Sequence, residues 1–234
     1  MTATMDVIFK IVLFAPPILL AITLHEVAHG WAARYLGDPT AADLGRLSLN
    51  PLKHVDPVGT IAVPAVMLTL GGVLFGWAKP VPVNMNQLRF PKIDMALVAA
   101  AGPASNLVMA AIWVLIFKVG VSLGSILGAM IILMAAVGVF INTIIMMLNL
   151  LPLPPLDGSK VLSGLLPDHL SNYMYRAEPY GLFIFMGIFL LDMTFQIGIF
   201  HNLVLIPAFS IVIFLESLFG VPSNAIIQIL QTIA

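Results

Sequence analysis

Cysteine is absent from the 234 residues, which excludes disulfides and thiolate metal sites together and leaves any metal to His, Asp and Glu. Charge is scarce. Asp, Glu, Lys and Arg make up 9% of the chain, against roughly 25% in soluble domains, so a fully water-solvated surface is excluded. The formal net charge of -1 offers no electrostatic footprint for nucleic acid. Period-two alternation is missing from the long apolar runs, and this excludes a lipid-facing barrel. What remains is a chain that is 60% hydrophobic with a mean hydropathy of +1.06. Lipid offers the backbone no hydrogen-bond partners, so runs of this kind must be helices.

The runs divide the chain into five firm spans, at residues 7–35, 93–117, 126–151, 180–200 and 203–219, with a sixth candidate at 58–75. The first carries Pro16 and Pro17, which interrupt its hydrogen bonding. It runs into polar residues without a small-residue cleavage pattern, so it is expected to be a retained span and not a signal peptide. The sixth candidate contains Pro64, Gly71 and Gly72 and suits either a span or a re-entrant segment. Residues 46–50, bounded by Gly45 and Pro51, alternate apolar and polar side chains and suggest an edge strand or hairpin. Residues 77–84 are proline-spaced and therefore extended. Residues 159–178 are polar enough to lie in the interface or in water. The expected architecture is an all-α polytopic membrane protein, with five or six transmembrane helices and a short β element near its site. It forms a single domain over 1–234, with a core at about 7–160 and C-terminal helices at about 179–219.

Within the first run stand His25, Glu26 and His29. Ionisable side chains at bilayer depth cost roughly 2.5–3.5 kcal/mol each on insertion scales, so three together point to a function. Residues four apart on a helix share a face, and the two imidazoles can present nitrogens to one tetrahedral zinc. Glu26, one step round, can take a proton from water that the metal activates. A catalytic zinc needs a third protein ligand. The candidates are Asp157, Asp192, Glu216, His54, His169 and His201. Asp157 is favoured, because the flanking prolines and Gly158 free its backbone from helix at the end of a span; Asp192, also in apolar surroundings, comes next. Asn149 has an amide that can hold a carbonyl, although an Asn in a span more often packs helices together. Gly102, Pro103 and Asn106 read as packing residues.

Taken together, His25-Glu26-x-x-His29, Gly102-Pro103-x-x-Asn106 and Asn149-x-x-Pro152-x-Pro154-x-x-Asp157-Gly158 resemble the site-2 proteases, intramembrane zinc metalloproteases. The likeness covers about residues 20–160. It implies one Zn2+ per chain held by His25, His29 and Asp157, with Glu26 as general base and Asn149 near the scissile carbonyl. It also implies single-span membrane proteins as substrates and a multi-pass location in the cell membrane. No PDZ-like or CBS-like domain is expected, and the His pair is expected on the first span. A rival reading makes the His and Asp residues the cation site of a membrane transporter; the Glu beside the first His and the lack of an internal repeat speak for a hydrolase.

Overall fold

The computed structural model describes residues 3–57, 59 and 78–233. Among them are the helices α1 (Ala3–Tyr35), α2 (Thr40–Asp43), α3 (Pro91–Leu123), α4 (Ile126–Asn149), α5 (Asp157–Leu165), α6 (Asp168–Ala177), α7 (Gly181–Phe195), α8 (Ile206–Leu218) and α9 (Ala225–Ile233). Among the described residues, five stretches are long and apolar enough to cross a membrane: Ile11–Tyr35, Pro91–Leu123, Ile126–Asn149, Asp168–Phe195 and His201–Leu218. The polar stretch from 159 to 178 folds as α5 and α6, and α6 runs through a short 3-10 turn into α7. The sixth candidate span, 58–75, lies outside the described residues.

Local signals set the ends of the central helices. Pro91 opens α3, and Gly124, at φ 54°, closes it in the left-handed region that glycine tolerates. Ser125 then caps α4 by accepting from the Gly128 N–H at 3.2 Å. The α3–α4 hairpin is close because its crossing is made of small residues: a Cβ on Gly128 would stand 2.6 Å from the carbonyl oxygen of Gly120. Ala110, Trp113, Val114 and Phe117 of α3 meet Ala135, Ala136 and Val139 of α4, with Val212 and Leu215 of α8 and Ile226 of α9 completing this cluster. α1 packs against both α3 and α4, which brings its histidines to the centre of the helix assembly.

The β element is not formed: there is no strand among the described residues. Asn50 and Asn84 have extended backbones, but segments 46–50 and 78–84 do not pair as a ladder. Proline at 80 and 82 removes alternate donors, and two of the others go to carboxylates instead. The Val81 N–H donates to Glu26 Oε2 at 2.8 Å, and the Asn84 N–H to Asp38 Oδ2 at 2.6 Å. The two segments are joined by a side chain, with Arg46 Nη2 donating to the Lys79 carbonyl at 2.9 Å.

Candidate metal centre

His25 and His29 lie one turn apart on α1, with ring centroids 4.6 Å apart and planes at 89°. Asp157 reaches them from the first turn of α5, so it starts a helix and does not end one. Its Oδ2 is 3.1 Å from His25 Nε2 and 3.2 Å from His29 Nε2, and the two Nε2 atoms are 3.1 Å apart. Zinc bonds near 2.0–2.1 Å in a tetrahedron place ligand atoms roughly 3.3 Å from one another. The triangle therefore has the size of three corners of such a site.

Protons decide what this triangle is. His29 Nδ1 lies 2.7 Å from the Val98 carbonyl oxygen and His25 Nδ1 lies 2.6 Å from Asn106 Oδ1. Both partners are acceptors, so in the neutral rings each Nδ1 carries the proton and each Nε2 is a lone pair. The contacts to Asp157 would be ion pairs only if an imidazole gained a second proton. With neutral rings, three lone pairs meet in a buried space, and Asp157 Oδ2 has no hydrogen-bond donor. Two neutral imidazoles and a carboxylate around one point suit a divalent cation.

Glycine lets α3 approach this point. A Cβ on Gly102 would stand 2.5 Å from His29 Nε2 and 2.6 Å from His25 Cε1. Gly158 has the same role beside Asp157, since a Cβ there would collide with the carbonyl oxygens of Leu150 and Leu151.

The other candidate ligands have other partners or lie at the surface. Asp192 accepts the N–H groups of Ile199 and Phe200 at 2.7 and 3.1 Å and so caps the turn after α7. Glu216, fully buried, accepts those of Asn224 and Ile226 at 2.8 and 2.7 Å at the start of α9. His54 is buried, with Nε2 bound to the Ser48 carbonyl at 2.8 Å; His169 and His201 are exposed. Among the described residues, His25, His29 and Asp157 form the metal-sized cluster of such side chains.

The cluster opens onto a cavity of about 900 Å³, whose wall includes Ile18, Ile22, Glu26, Asn149, Lys160 and Phe185. Glu26 is half-buried and held by Val81. Asn149 lines the same cavity, and its Nδ2 donates to the Ile145 carbonyl of its own helix at 3.0 Å. Asn106 is the residue that reading the sequence undervalues. It touches a histidine 81 positions away, and no local pattern announces such a contact.

Known proteins with similar sequences agree with this chemistry. The chain is 38% identical over 176 residues to YwhC of Bacillus subtilis, named as a candidate zinc metalloprotease; the match takes 74% of this chain and 77% of that one. It is 33% identical over 168 residues to Rip2 of Mycolicibacterium smegmatis, which carries the same description, and 28% identical over 176 residues to Rip2 of Mycobacterium tuberculosis. These matches cover 58% and 64% of the two mycobacterial proteins, so the chain spans about three fifths of their length. No family model and no solved structure matches the chain. None of these relatives is named for transport, and the transporter reading has no support from them. The identity to YwhC, sustained over most of both chains, shows that this chain belongs to the site-2 protease family of zinc metalloproteases.

Proposed function

We propose that the chain is an intramembrane protease that hydrolyses peptide bonds in transmembrane or membrane-adjacent segments of single-span proteins, and that it sits in the cell membrane as a multi-pass protein. The observation that carries this reading is the meeting of three buried lone pairs at the edge of a cavity walled largely by apolar helices. In this reading His25, His29 and Asp157 hold the zinc. When bound there, zinc acts as a Lewis acid that polarises a carbonyl and lowers the pKa of water. Glu26 takes the proton as water oxygen attacks the carbonyl carbon, and hands it to the nitrogen as the C–N bond breaks. Its hydrogen bond from Val81 fixes the carboxylate on the cavity wall. Asn149 lies where its amide can turn from its own helix to a substrate carbonyl.

A substrate helix keeps its carbonyls in its own hydrogen bonds, so it has to unwind before it can react. Unwinding is costly in lipid and cheaper in a cavity that supplies polar groups. Glu26, Asn149, Asp157 and Lys160 supply them here. The test is substrate trapping: a Glu26→Gln variant purified from native membranes should retain single-span proteins that wild type cleaves, identified by mass spectrometry. Capture of soluble proteins alone would contradict the substrate class.

Gly102 offers a further test. A Cβ there would stand within 2.6 Å of both imidazoles, so the rings or α3 must shift to admit it. Gly102→Ala is expected to weaken zinc binding by at least about 10-fold, the scale of change when a metal's supporting shell is disturbed. Chelator competition on the purified variant measures this; wild-type affinity would mean that the imidazoles do not hold the ion.

A further inference from the structure

The buried polar side chains behind the metal centre form a chain across three helices. Asn142 of α4 donates from Nδ2 to its own helix at Gly138 O, 2.8 Å away, and accepts at Oδ1 from Asn106 Nδ2 of α3 at 3.0 Å. Asn106 Nδ2 also reaches Ala21 O of α1 at 3.3 Å, while its Oδ1 lies 2.6 Å from His25 Nδ1. Asn106 and Asn142 are both fully buried, so no water corrects a misplaced group.

The sense of this chain can be read from its ends, since the carbonyls of Gly138 and Ala21 can only accept. Asn142 must therefore turn its NH2 to Gly138 and its oxygen to Asn106. Asn106 faces two oxygens on one side, so its NH2 goes there and its oxygen faces His25. His25 must then carry its proton on Nδ1, which leaves the Nε2 lone pair aimed at His29 and Asp157. Flipping either amide would set like groups against each other in a buried space. His29 needs no such relay, because the Val98 carbonyl fixes its tautomer directly.

We propose that Asn106 is a positioning residue that locks His25 in its metal-binding tautomer, with Asn142 setting the direction of the Asn106 amide. This rests on the reading of His25 as a zinc ligand, and the tautomer has a spectroscopic readout separate from activity. In protein holding one equivalent of zinc and labelled with 15N-histidine, NMR should find Nδ1 protonated and Nε2 without a proton in both His25 and His29, with signals assigned by through-bond correlation. Asn106→Leu should shift His25 to the other tautomer or to a mixture and leave His29 unchanged. Zinc affinity by chelator competition should fall about 10- to 100-fold. A wild-type His25 protonated on Nε2 would overturn the proposal even if Asn106→Leu fails to fold. So would a folded Asn106→Leu with wild-type tautomer and affinity. Failure of the zinc-ligand reading looks different: His25→Ala would then retain zinc at wild-type affinity.

Discussion

Glu26→Gln is expected to lower peptide cleavage by at least about 10²-fold, the lower end of what a positioned general base contributes, while the zinc content stays at one per chain. The amide oxygen of Gln can still accept the Val81 N–H that now goes to Glu26 Oε2, so the segment around Val81 should keep its place. The carboxylate's basicity is lost, and an amide cannot carry a proton from water to the leaving amine. None of the three proposed ligand atoms is touched. The measurement is a cleavage assay in detergent or liposomes alongside metal analysis of the same preparation. Cleavage near the wild-type rate would remove Glu26 from the mechanism; loss of zinc together with activity would make it part of the metal's binding set.

Asp157→Ala should remove metal and activity together. It leaves two neutral imidazoles, one ligand fewer than catalytic zinc sites use, and takes away the only negative charge of the cluster. Zinc per chain is expected to fall from about one to near zero after dialysis against a weak chelator, with cleavage falling in parallel. Asp192→Ala provides the control. It deletes the acceptor for the Ile199 and Phe200 N–H groups, so it should lower thermal stability and leave zinc in place. Full zinc in a folded Asp157→Ala, or zinc loss confined to Asp192→Ala, would reverse the assignment.

The contrast between these two aspartates shows where sequence reading stops. Both sit in apolar surroundings, and neither neighbourhood distinguishes a ligand from a cap. Asp192 finds its partners seven and eight residues on, whereas Asp157 meets histidines on a helix more than 120 positions earlier, a fold-level fact that the resemblance supplied and spacing did not. The His pair was legible because helical periodicity alone puts residues four apart on one face. The long helices were legible for the same local reason, and Pro91 and Gly124 mark the ends of α3, two residues earlier and six later than hydropathy places them. The strand at 46–50 failed because alternation predicts a ladder only if a neighbouring edge has donors to share. The nearby prolines and the carboxylates of Glu26 and Asp38 remove them. Asn106 reads as packing because one amide in an apolar helix looks the same whichever side chain it meets.

The proposed zinc site draws on two imidazoles of α1 and one carboxylate of α5. X-ray absorption at the zinc edge, on purified protein holding one equivalent of zinc, reads that ligand shell. Two histidine nitrogens and light oxygen ligands are expected near 2.0–2.1 Å, with the imidazole signature lost in a His25→Ala, His29→Ala double variant. A shell with fewer than two imidazoles, or an unchanged spectrum in the double variant, would contradict it.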